Sequence, residues 1–314
     1  MRAFEEEGLL DRFCFVLVSD HGHVETRADG YFDICGLVDR ELDIPATNAS
    51  ASEKRSWRER WKRFGPYAAV VLDAGNRSAM LYLRRFRASA SPEALHPWTP
   101  RPTLDELRQY PTRGGRPVDL IAELLRQEAL ELVSARAGPD AVTVFSRRGQ
   151  GLIRRRQLQE AREDVLYSYS VLAGEDPLGY TESPEVAPLV GTGFHPGRKW
   201  LQASVASRYP DFVSQMVELM DSPQVGDLVV FAAPGWSFHP RHASDHGGPL
   251  REEMLVPLVV SGPGIVAGEF GAVRQVDVLP TILEYLGRPQ PTAIDGQSFL
   301  DLILDRRRTV ELVR

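Results

Sequence analysis

Residues 13–22 read Phe-Cys-Phe-Val-Leu-Val-Ser-Asp-His-Gly. Six apolar residues in a row, ended sharply by polar ones, predict a short strand buried on both faces in the middle of an α/β sheet. Open α/β sheets place ligands just beyond the carboxyl ends of such strands, so Asp20 and His21 stand where chemistry is expected. A carboxylate beside an imidazole, with no thiolate nearby, suits a divalent ion such as Zn²⁺ or Mn²⁺. Gly22 leaves room for a close approach of backbone or ligand. Alone, Asp-His-Gly also suits a plain strand-ending turn.

Two further runs have the same buried character. Residues 227–232 form one, ended by Ala233-Pro234-Gly235-Trp236, and residues 255–261 (LVPLVVS) form another. Between them lies His239-Pro240-Arg241-His242-Ala243-Ser244-Asp245-His246-Gly247-Gly248, with three of the chain's seven histidines. An amphipathic helix is predicted over 276–286, stopped by Gly287. All three apolar runs are expected in one mainly parallel sheet flanked by helices. The stretch between them is more polar. Strand pairs are expected at 67–72 with 79–86 and at 141–145 with 152–153, and helices over 118–132 and after Pro210. The resulting division places an α/β core at 1–36 and 226–314, and an inserted, cap-like α+β region at 37–225.

Taken in order, the SDHG strand end, the GDLVV strand, His246-Gly247-Gly248, EMLVPLVVSGPGI, VDVLPTILEYLG and Asp295-Gly296-Gln297-Ser298-Phe299 resemble the carboxy-terminal half of the alkaline phosphatase superfamily. The type I phosphodiesterase/nucleotide pyrophosphatase branch is the most similar. The resemblance covers 13–35 and 226–304 and is thin in between. It implies an alkaline phosphatase-like α/β fold and two divalent metal ions, Zn²⁺ first and Mn²⁺ second. It implies metal ligation by Asp20, His21 and His246, with His242 a weaker choice and Asp245 without an assigned role. These residues are then expected at one sheet edge, and His23 reads as a bystander. The implied reaction is hydrolysis of a small phosphate ester. A phosphomutase, a sulfatase or an inactive binding module are the alternatives.

The family carries a Ser or Thr nucleophile and further ligands upstream of its Asp-His-Gly. Only 19 residues precede Asp20 here, so the expectation is an amino-terminally shortened chain that lacks the nucleophile and hydrolyses esters poorly by itself. No catalytic residue is assigned.

Composition agrees with an ordinary globular protein: 314 residues, 43% apolar, 25% charged. A net charge of −6 gives no pull toward nucleic acid, and no apolar window reaches membrane-span length. No secretory signal opens the chain, which predicts a cytoplasmic location unless an upstream leader exists. Cys14 and Cys35 make no scaffold. Three other stretches have plain readings. Ser146–Arg156 is a basic hairpin that could grip a phosphate, Asp176–Tyr180 is a turn, and Trp57 and Trp61 share a helix face.

Overall fold

Leu228, Val230 and Ala232 point into one apolar core, while Val229 and Phe231 point into another. This alternation explains the unbroken apolar run at 227–232: the strand is covered on both faces. The structure, a computed structural model, describes residues 2–49, 64–73, 76–85, 100–158, 165–240, 243–291 and 294–304. Trp57, Trp61, His242 and the basic Arg306–Arg308 lie outside the described residues. The chain divides into two units, 1–22 with 255–314 and 23–254. The boundaries expected at 36/37 and 225/226 both fall inside the second.

The first unit contains β1 (Phe15–Val18) and β14 (Leu258–Ser261), paired antiparallel with Leu17 opposite Val259. Val260 packs against the small core of Phe299, Leu300 and Ile303 beside the helix Val278–Tyr285. The buried Asp277 carboxylate accepts hydrogen bonds from the backbone N–H of Arg274 (3.0 Å) and Gln297 (2.8 Å). It thereby ties the 295–299 motif to the helix start. Thr281 Oγ1 accepts from Phe299 N at 3.0 Å. Gly296 is obligatory at this junction, because a Cβ there would sit 1.9 Å from the Val276 carbonyl.

The second unit holds β2 (Val24–Tyr31), β3 (Ala46–Asn48), β4 (Ala69–Asp73), β5 (Ser78–Leu83), β6 (Leu130–Gly138), β7 (Ala141–Phe145), β8 (Gly149–Gln157) and β9 (Val165–Gly174). It continues with β10 (His195–Pro196), β11 (Leu228–Ala232), β12 (Gly235–Ser237) and β13 (Ser244–Asp245). Nine of these form one sheet in the order β10-β9-β8-β7-β6-β11-β5-β4-β3. The helices Gly197–Ser204 and Phe212–Asp221 cover one face through Trp200, Phe212, Val213 and Met216. The segment around Ile34–Gly36 and the helix Leu120–Arg126 cover the other. No helix among the described residues is long and apolar enough to cross a membrane.

The expected class, α/β with a large sheet flanked by helices, is what the structure shows. Strand direction is corrected. The nine-stranded sheet is mixed and mostly antiparallel, with only the β3–β4 pair parallel. The three apolar runs do not share a sheet either: β1 and β14 pair with each other, and β11 lies between β5 and β6. Burial on both faces makes a strand uniformly apolar whichever way its neighbours run, so the apolar run reported coverage and not direction. The run at β1 also overstated burial, since Leu17 is 68% and Val259 53% exposed.

Candidate metal centre

In the first unit, the turn after β1 is bonded at every residue. Ser19 Oγ donates to the His21 carbonyl (3.0 Å) and His21 N donates to Asp20 Oδ1 (3.0 Å). The Gln275 side-chain amide donates to the carbonyls of Ser19 and of Asp20, the latter at 2.8 Å. Gln275 opens the short 3₁₀ turn that leads into the helix Val278–Tyr285. The 3₁₀ turn that precedes this helix therefore fixes the Asp-His backbone. The backbone N–H of His21, and then the imidazole charge, hold the exposed Asp20 carboxyl below the usual carboxylate range.

His21 Nδ1 lies 3.1 Å from the Gly22 carbonyl. Donation there places the imidazole lone pair on Nε2, the arrangement common to metal-binding histidines. Nε2 is 3.5 Å from Asp20 Oδ2. Two donors on one tetrahedral zinc with bonds of 2.0–2.1 Å are about 3.3 Å apart. The oxygen–nitrogen pair thus fits a shared divalent ion in both chemistry and spacing.

In the second unit, His246 follows β13, which pairs with β2 so that Asp245 faces Val24. That register brings the rings of His23 and His246 together, with centroids 5.0 Å apart. In the sequence, His23 stands beside the Asp-His pair and reads as a bystander. The signal that finds it is the strand pairing, which no local pattern reveals.

The loop carrying His246 is anchored from below. Asp245 is buried, and its carboxylate accepts from Asn76 Nδ2 (2.7 Å) and Ser237 Oγ (2.6 Å). This assigns Asp245 the role it lacked: it holds the histidine's own strand. Arg77 N donates to the His246 carbonyl at 3.0 Å. The fully buried Arg77 guanidinium pairs with Glu253 at 2.9 Å and donates to the carbonyls of Ala232, Ala233 and Trp236. Glu253 in turn accepts from Gly248 N at 2.8 Å. A Cβ on Gly248 would lie 2.5 Å from Glu253 Oε2. Gly248→Ala is expected to lower unfolding free energy by about 1–3 kcal/mol through overpacking. Urea unfolding of the variant beside the parent checks this, and an unchanged midpoint contradicts it.

A 64-residue stretch of the chain is 41% identical to the "Extracellular sulfatase SULF-1 homolog" of Drosophila melanogaster. The stretch is 20% of this chain and only 6% of that protein's length. Sulfatases are members of the alkaline phosphatase superfamily, so this partial match points to that superfamily and to a hydrolase. No family model matches the chain, and no solved structure matches it.

Proposed function

We propose that this chain carries metal ligands of an ester hydrolase of the alkaline phosphatase superfamily, with Asp20, His21 and His246 as ligands and a small phosphate ester as substrate. The observation that carries the reading is the Asp20–His21 pair, an oxygen and a nitrogen donor 3.5 Å apart on a turn fixed by Gln275. His23 joins the proposal as a further nitrogen donor, through its contact with His246. The chemistry supplied by bound divalent ions in such a centre is Lewis-acid stabilisation of negative charge on the ester oxygens. The chain's own residues prepare for it. Asp20 offers a carboxylate that stays ionised, and the Gly22 carbonyl orients the imidazole of His21. Arg77, Glu253 and Asp245 hold the His246 loop rigid.

Sulfate-ester hydrolysis is the second reading. It rests on the partial match to a sulfatase, whereas the phosphate reading rests on the motif order at 226–304.

Calorimetric titration with Zn²⁺ and with Mn²⁺ tests the ligands without relying on turnover. The parent chain is expected to bind. Asp20→Asn, His21→Ala and His246→Ala are each expected to weaken binding at least tenfold, since every lost ligand removes a strong bond from the ion it would hold. Equal affinity in all three variants overturns the ligand set. Assaying an aryl phosphate beside the matching aryl sulfate then separates the two substrate readings.

A further inference from the structure

The turn between β7 and β8, Ser146–Arg148, borders two clefts in the second unit. In the larger, about 680 Å³, two of the three arginines are neutralised, Arg208 by Glu131 and Arg148 by Glu175, and the third, Arg147, is shared with the smaller cleft. The smaller, about 480 Å³, differs. Its floor is apolar, made of Ile121, Leu125 and Phe145. Its basic side chains are Arg108, Arg126 and Arg147. Arg126 pairs with Glu123. The other two guanidiniums are held by neutral groups alone. Arg108 donates to Gln150 Oε1 at 3.0 Å and lies over the Phe145 ring, 5.4 Å from its centroid. Arg147 donates to the carbonyls of Leu125 (2.9 Å), Gln127 (2.8 Å) and Leu130 (3.1 Å). Among the described residues, neither has a carboxylate at ion-pair distance. The one acid lining the cleft, Asp119, is engaged as the cap of the helix Leu120–Arg126, accepting from Ala122 N at 3.0 Å.

We infer that this cleft is a binding site for a small organic anion with an apolar body. Two positive charges without counter-charges, oriented by fixed hydrogen bonds above an apolar floor, match an anionic head and an aromatic or aliphatic tail. Arg147 also caps the carboxyl end of the helix Leu120–Arg126, so its planar group is already ordered and little side-chain entropy is lost on binding. The cleft opens where β7 ends, at the same end of the nine-stranded sheet as the end of β11 and the start of β5. There Ala233 N bonds the Ala129 carbonyl beside β6, and Arg77 N at the start of β5 bonds the His246 carbonyl. The strands β5 and β7 are three ladder spacings apart, roughly 14 Å. The inference does not depend on the metal-centre reading.

The test titrates the full chain with 1-naphthalenesulfonate, followed by its fluorescence, with 2-naphthalenemethanol and inorganic sulfate as the neutral and tailless controls. The sulfonate is expected to bind at least tenfold tighter than either control. Ala122 lines the cleft and is exposed on its helix, so Ala122→Glu adds a negative charge without disturbing packing. Ala122→Glu and Arg108→Gln are each expected to weaken sulfonate binding at least fivefold. Ala122→Lys adds similar bulk with the opposite charge and is expected to bind at least as tightly as the parent. Near-ultraviolet circular dichroism confirms that each variant is folded. Sulfonate binding within twofold of the parent in both Ala122→Glu and Arg108→Gln overturns the site. So does equal binding of the neutral alcohol, or an Ala122→Lys loss as large as that of Ala122→Glu.

Discussion

Replacing Arg77 by Met is expected to destabilise the second unit by about 3–5 kcal/mol, the range seen when one partner of a buried ion pair is removed. Arg77 and Glu253 are essentially inaccessible, with side chains 0% and 1% exposed. Without the guanidinium, the Glu253 carboxylate is left in a dry environment with only backbone N–H donors, those of Gly248 and Leu250. The carbonyls of Ala232, Ala233 and Trp236 lose their donor as well. Met matches the aliphatic part of arginine, so the loss reports charge and hydrogen bonding more than volume. The double variant Arg77→Met/Glu253→Gln is expected to recover part of the loss, because no uncompensated charge remains. Denaturant unfolding of the two single variants and the double variant measures the coupling. Strictly additive losses contradict a direct pair. Since Arg77 N also holds the His246 carbonyl, metal affinity is expected to fall along with stability in Arg77→Met.

Asp227 carries the second large effect, and it depends on pH. The residue opens the turn into β11 and is 7% exposed. Burial pushes its carboxyl up to about 6, partly opposed by the Leu83 N–H at 2.7 Å and by Arg101. An unfolded aspartate titrates near 3.9. The folded chain therefore holds this proton more tightly than the unfolded chain does. The associated stability is fully present below about pH 4 and is lost as pH rises through about 6. A shift of this size corresponds to about 2–3 kcal/mol. Asp227→Asn removes the titration while keeping an acceptor for Leu83 N. Its stability relative to the parent is expected to rise by about 2–3 kcal/mol between pH 4 and pH 7, read from urea midpoints across that interval. A constant difference across the interval overturns the assignment.

The parts legible in the sequence were those set by local physics. The β4–β5 and β7–β8 hairpins showed as paired apolar runs around turn residues. The helix Val278–Tyr285 showed by its spacing and its terminating Gly287, which adopts φ 60°. The Asp20–His21 turn showed because strand ends concentrate polar residues. Long-range pairing was not legible. Nothing local in β11 says that its neighbours are β5 and β6, each antiparallel to it. The helix expected over 118–132 ends at Arg126, and β6 begins at Leu130. The apolar residues of 130–133 serve a strand whose two faces meet different cores. His23 is not legible for the same reason, since its contact with His246 is set by the β2–β13 register.

The position of β11 bears on how the chain acquires its structure during synthesis. Residues 78–83 and 130–138 are its two neighbours in the finished sheet. Both leave the ribosome well before residues 228–232. At about 5–20 residues per second, the interval between completing β6 and completing β11 is roughly 5–20 s. Throughout that time β5 and β6, the latter joined by β7–β9 as they emerge, each present an unfilled hydrogen-bonding edge flanked by apolar side chains, a template for pairing with another chain. The nascent polypeptide is thus most prone to self-association before residues 228–232 emerge, and a chaperone that shields exposed strand edges acts to best effect in that window. Closure by a late, sequence-distant strand also raises the contact order, which slows folding.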